Sequence, residues 1–190
     1  MASGHVGDRP DPKGVTALVA RSQHVLAVNP AGNLACIAGG AALRFLRLDR
    51  APPQGDACEC AGTVRCLAFD RAGSMLLSGD DSKRVRLWNP ATSVCVAEWL
   101  HHKKIGCVAF SPSGARALWA DRFGEVYVVT IADGAAAAPS TALGHLSPVS
   151  HLTFAPNDEL LLTADREGHV RSRCALSQVW RSYHRELSGA

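Results

Sequence analysis

Residues 75–78 form a short hydrophobic run, and Gly79-Asp80-Asp81-Ser82-Lys83 breaks it with small and charged side chains. The chain then resumes as Val85-Arg86-Leu87-Trp88, with apolar and basic residues on opposite faces. Two β-type runs around a short polar turn predict a hairpin. The pattern recurs downstream, with Asp80, Asp121 and Asp165 at the turn and Val85, Val126 and Val170 each five residues later. The strand before each hairpin ends in an apolar residue followed by a turn, at Val28, Phe69, Phe110 and Phe154. Their spacings are 69−28 = 41, 110−69 = 41 and 154−110 = 44 residues.

A period of about 40–45 residues, with four strands per unit and a Trp closing the third strand, is that of a WD-type β-propeller blade. The expected fold is therefore all-β, with blades over about 24–61, 62–100, 105–144 and 145–171 inside a propeller region of 15–171. The first blade should carry strands over 24–29, 34–38 and 43–49, with an edge strand from 15–20 and a Pro-containing loop at 50–56. In the third blade, strands are expected over 105–111, 116–121 and 126–131, then a low-complexity loop at 133–141. Trp88 has no Trp counterpart in the other blades; Val129 and either Arg173 or Cys174 stand in its place.

The two ends read differently. Residues 1–14 are polar and contain Pro10 and Pro12, the composition of a disordered leader. Residues 172–190 read as a divergent tail, in which Leu176, Val179, Tyr183 and Leu187 recur at spacings of three and four. That stripe predicts a short C-terminal helix. Three complete blades and half of a fourth should not close, because a closed propeller needs about 4–8. The reading is thus an incomplete ring, a fragment or alternative form of a longer chain.

Composition changes this picture little. The chain has 190 residues, 47% hydrophobic and 19% charged, enough for one core. No run approaches the roughly 20 apolar residues of a membrane span, and the absence of a signal segment points to an intracellular protein without membrane association. Seven cysteines are an odd count, and Cys36, Cys66, Cys95 and Cys107 lie within apolar strand patterns as expected buried thiols. Cys58-Glu59-Cys60 lacks a second ligand pair, so no metal site is expected. The net charge of +3, with 16 of the 20 basic residues Arg, allows direct RNA binding but does not by itself select it.

Candidate chemistry is sparse. His101-His102 precedes the third blade and reads as a solvated turn, since neighbouring strand residues face opposite ways. His145 with Asp165 could form an acid–base pair, yet no nucleophile motif accompanies it, so no catalytic residue is assigned. In WD repeats such a His bonds the Asp of the following turn, with a Ser or Thr completing the network. By that likeness His145, Thr163 and Asp165 are structural, as are the turn residues Asp80 and Asp121 and the strand-closing Trp88.

Four motifs in order are more specific: Asp80-Asp81-Ser82-Lys83-Arg84, Ala120-Asp121-Arg122-Phe123-Gly124-Glu125-Val126-Tyr127, Leu143-Gly144-His145-Leu146-Ser147 and Leu162-Thr163-Ala164-Asp165-Arg166. Together they resemble the WD-repeat non-catalytic subunit of tRNA (guanine-N7-)-methyltransferase over about residues 65–171. The resemblance implies an accessory role, in which the propeller binds and stabilises a separate catalytic subunit in a heterodimer. That partner would carry S-adenosylmethionine, so no cofactor is expected on this chain. The product would be N7-methylguanosine in the variable loop of tRNA, made in the nucleus, with tRNA engaged through the complex. The family's charged turn places its partner contacts at Arg166, Glu167 and Arg171; His169 stands here for the family's Lys and Gly168 for its second acidic residue. The alternative expectation is a generic WD-repeat protein-interaction scaffold.

Overall fold

The computed structural model describes residues 24–49, 57–132, 135–136, 138–174 and 180–183. All regular structure among them is β. The first sheet pairs β1 (His24–Val28), β2 (Leu34–Gly39), β3 (Ala42–Arg47) and β4 (Ala57–Glu59) in that order. The second pairs β5 (Val64–Phe69), β6 (Leu76–Asp80), β7 (Arg84–Asn89) and β8 (Val94–Leu100). In the third, β9 (Ile105–Phe110), β10 (Arg116–Asp121) and β11 (Glu125–Ala132) are joined by β12 (Ala135–Ala136) and β13 (Ser140–Gly144), both paired with β11. The fourth holds β14 (Val149–Phe154), β15 (Leu160–Asp165), β16 (Val170–Cys174) and β17 (Trp180–Tyr183). Every pairing is antiparallel.

Each sheet is one blade, and the alternation of side chains packs it on its neighbours. On β6, Leu76 joins Phe45, Val64 and Trp88 between the first two sheets, whereas Leu77 joins Trp99, Ile105 and Trp119 between the second and third. On β10, Trp119 faces the second sheet while Leu118 and Ala120 face the fourth, against Val149, Phe154 and Leu161. A strand buried on both faces must be apolar or have its polar groups satisfied. On β6, Leu76 and Leu77 are followed by the hydrogen-bonded Ser78 and Asp80, and on β10 residues 117–120 are all buried and hydrophobic. The outer faces of the arc lack this cover. Leu26 of β1 is 62% exposed and Leu160 of β15 is 41% exposed, on faces that no further sheet covers among the described residues.

Two expectations are corrected. The stripe over 176–187 does not make a helix at its centre, because Trp180–Tyr183 is a strand. It pairs with β16 from Val170↔Tyr183 to Arg173↔Trp180, so backbone groups that would stand open on the edge of β16 are bonded. The fourth sheet therefore has four strands, and the last of them lies within the segment read as a separate tail. The second correction concerns Cys95, which is exposed; Cys36 is buried and Cys66 and Cys107 are half-buried. Cys95 lies on β8, the outer edge strand of its sheet.

Smaller differences follow from pairing. The segment expected as a low-complexity loop contributes β12, and β13 begins within it at Ser140. The register sets Leu76 opposite Trp88, Ala117 opposite Val129 and Leu161 opposite Arg173, so Arg173 rather than Cys174 is the counterpart of Trp88. The expected leader, the edge strand at 15–20 and the loop at 50–56 lie outside the described residues.

Candidate functional site

The hairpin turns between the second and third strands of the last three blades share one construction. Each opens with an Asp whose Oδ1 accepts the backbone N–H four residues on: Arg84 to Asp80 at 3.0 Å, Glu125 to Asp121 at 3.1 Å and His169 to Asp165 at 2.9 Å. The position three after the Asp takes a positive φ, at Lys83 (69°), Gly124 (100°) and Gly168 (86°). A carboxylate that ties its own turn in this way favours a tight, fixed hairpin.

The second carboxylate oxygen meets a side chain from outside the turn. In the fourth blade His145 Nδ1 lies 3.1 Å from Asp165 Oδ2, and His145 Nε2 lies 2.7 Å from Thr163 Oγ1, all buried. In the third blade the corresponding group is His101, whose Nε2 lies 3.1 Å from Asp121 Oδ2. His101 is buried, with its ring edge-on to Tyr127 at 4.5 Å between centroids, so it is not the solvated turn residue expected from the sequence. Trp119 occupies the place that Thr163 fills in the fourth blade, two residues before the Asp. Its stacking on Tyr127, 6.1 Å away, replaces the missing hydroxyl contact with an apolar one.

The second blade solves the same problem with a different residue. The offsets 121−101 and 165−145 are both 20, and 80−20 gives Cys60. A thiol is a weak partner for a carboxylate, and Arg86 enters instead, with Nη1 3.1 Å from Asp80 Oδ2 and Nε 2.6 Å from Glu98 Oε2. Trp88 Nε1 donates to Ser78 Oγ at 2.8 Å, fixing the indole against Phe45. His101 and Cys60 were legible in principle from this 20-residue offset, which the motif reading applied only to His145.

Electrostatics follow the packing. Burial disfavours the charged form of Asp165, but the His169 backbone N–H, the His145 and His169 rings and the Glu167 N–H outweigh it and hold the carboxyl at about 2. Burial pushes His145 below its ordinary value, offset in part by Asp165 and reinforced by Arg171 and His169. A neutral His145 then donates from Nδ1 to the carboxylate and accepts the Thr163 hydroxyl at Nε2. The three groups are mutually satisfied. No catalytic assignment follows from them, and among the described residues no group of three or more His, Cys, Asp or Glu gathers as a metal ligand set.

The charged residues of the last turn separate in space. Arg166 and Glu167 are exposed, with His169 Nδ1 3.9 Å from Glu167 Oε2. Arg171 is half-buried and donates from Nη1 to the Gly144 carbonyl, bracing the loop that carries His145. Next to that loop, Leu146 is 94% exposed and Phe123 is 64% exposed. Arg166 also lines a cleft of about 290 Å³ shared with Arg65 and Arg122.

Fold and turn network are those of a partial β-propeller, and the family model described as "WD domain, G-beta repeat" matches residues 57–89 and 138–172. Among curated proteins the chain is similar to non-catalytic subunits of tRNA (guanine-N(7)-)-methyltransferase. It is 29% identical over 111 residues to the human subunit WDR4, covering 58% of this chain and 27% of that protein. The Bos taurus WDR4 is 30% identical over 109 residues, at 57% and 26% coverage. The Eremothecium gossypii subunit TRM82 is 26% identical over 117 residues, again at 57% and 26%. The resemblance carried by the four ordered motifs is thereby supported, and the chain spans about a quarter of the length of these relatives.

Proposed function

We propose that the chain is an accessory WD-repeat subunit that binds and stabilises a separate, S-adenosylmethionine-dependent catalytic subunit. The pair would form N7-methylguanosine in the variable loop of tRNA, with the chain itself neither an enzyme nor a cofactor carrier. The observation that carries this reading is the similarity to several subunits named as non-catalytic components of that methyltransferase. The geometry supports it through the exposed Arg166 and Glu167, held on a hairpin fixed from beneath by Asp165. Arg171 serves the same surface by bracing the Gly144 carbonyl.

A nuclear location and a heterodimer belong to the same proposal. The test is co-expression with the organism's tRNA guanine-N7 methyltransferase, scored by co-purification and by tRNA methylation. An active complex, weakened by Glu167→Lys, is the expected result. Recovery of unrelated proteins and no methyltransferase would instead favour a general WD-repeat scaffold.

A further inference from the structure

We propose that the cleft between the second, third and fourth blades binds phosphate groups of an RNA backbone directly, a role beyond the partner contact proposed above. Three arginines from three blades line it: Arg65 on β5, Arg122 in the β10–β11 turn and Arg166 in the β15–β16 turn. Their convergence is built into the backbone. The first strand of each of these blades carries a register shift at the same place, leaving Arg65, Gly106 and Ser150 as extra residues between paired neighbours. Such bulges re-aim side chains and concentrate next to functional sites, and all three bulge residues line this cleft.

The local charge is unbalanced. Asp81 is the carboxylate at the cluster, with Arg65 Nε 2.8 Å from its Oδ2. Its Oδ1 is buried without a hydrogen bond, while Arg122 Nη2 lies 3.9 Å and Lys104 Nζ 4.0 Å away. Three cations thus surround one carboxylate, and Arg166 adds a fourth positive charge to the cleft lining. Neither Arg122 nor Arg166 makes a side-chain hydrogen bond among the described residues, and both are exposed to solvent.

Guanidinium forks match the oxygens of a phosphate, and like charges held together this closely favour an anion between them. The Arg65 fork is held on Asp81 by both Nε and Nη2, so Arg122 and Arg166 are the groups that meet an incoming oxyanion. Phe123 follows Arg122 in sequence and is 64% exposed, with Lys103 Nζ 4.6 Å from its ring centroid. An exposed ring beside a phosphate site offers a base somewhere to stack. These features favour a polynucleotide over an acidic peptide.

The test is fluorescence anisotropy of the full chain with a labelled single-stranded RNA of about 16 nucleotides, titrated at several salt concentrations. Each phosphate contact contributes about 0.7 to the slope of log affinity against log salt on a single strand. Arg122→Ala and Arg166→Ala should each reduce that slope by about 0.7 and weaken binding roughly tenfold. Arg122→Lys should keep the slope and lose part of the affinity, since a point charge replaces a fork. Arg47→Ala, at the opposite end of the first blade, should change neither. Inorganic phosphate should compete and poly-glutamate should not. Unchanged slopes in both alanine variants, with circular dichroism showing them folded, would overturn the proposal, as would equal displacement by poly-glutamate. Because the assay contains no methyltransferase, its outcome is separate from that of the accessory-subunit reading.

Discussion

His145 Nδ1 and Asp165 Oδ2 lie 3.1 Å apart in the interior, joining the loop before the fourth blade to the turn at its heart. Both groups titrate lower in the folded chain than in the unfolded one. For His145 the unfolded state binds its proton near 6.5 and the folded state only at lower pH. Stability from this group is complete above 6.5 and falls as the pH drops from there to the folded value. For Asp165 the loss comes later, between 3.8 and about 2. Urea-unfolding midpoints measured against pH should therefore decline in two stages, and His145→Gln should remove the upper one. A wild-type profile with no decline between pH 6.5 and 4 would contradict the assignment of a neutral buried His145.

The turn position three residues after each Asp offers an internal comparison. At Gly124 an added Cβ would lie 2.4 Å from the His145 carbonyl oxygen and 2.7 Å from that of Ser147, with φ at +100°. Neither backbone group can move aside cheaply. Gly124→Ala should cost about 3 kcal/mol, strain and overpacking combined. Gly168 has a positive φ but nothing within 4 Å, so Gly168→Ala should cost about 1 kcal/mol. Lys83 holds φ 69° with a side chain present, and Lys83→Gly should be neutral or stabilising by up to about 1 kcal/mol. Thermal denaturation of the three variants checks the order.

Trp88 and Ser78 make a sharper test of polar satisfaction. The indole N–H donates to Ser78 Oγ at 2.8 Å in a buried site between the first two blades. Ser78→Ala removes the acceptor and leaves the donor in place, which should cost about 1–3 kcal/mol. Trp88→Phe removes the donor as well, and when added to Ser78→Ala should cost only the packing lost with the indole. A double-mutant cycle in urea separates the coupling from the lost packing.

Much of this architecture is visible in the sequence because the repeat is written in residues that do the same job each time. Asp80, Asp121 and Asp165 recur since each ties the N–H four residues later. The His145–Thr163–Asp165 network is legible through the likeness to WD repeats. What escapes is whatever one blade does alone or several do together. His101 was hidden in a His-His-Lys-Lys stretch that looks solvated until its distance to Asp121 is counted. Trp180–Tyr183 was hidden because a four-residue strand is too short to show alternation against a chance helical stripe. Arg122 and Arg166 each follow the turn Asp in an Ala-Asp-Arg motif, but Arg65 lies outside it, and only the stacking of three blades and their matching bulges brings all three to one cleft.

The second blade shows how a substitution inside a repeat is absorbed, and it yields the most demanding prediction. Cys60 stands where the next two blades have His, and burial raises its thiol to about 11, so it is neutral and gives Asp80 no charge. Arg86 supplies that charge from within the blade while its Nε reaches Glu98. Arg86→Leu should then strand Asp80, which is 2% exposed, and cost about 3–5 kcal/mol. Cys60→His alone should also destabilise, because the imidazole enters a site that Arg86 already fills. The two together should be less harmful than their sum, since the new ring can take the Asp80 contact as His101 takes that of Asp121. A coupling energy of at least about 1 kcal/mol in the favourable direction is expected from a double-mutant cycle. Strict additivity would mean that Cys60 only fills space and that the correspondence with His101 and His145 stops at the backbone.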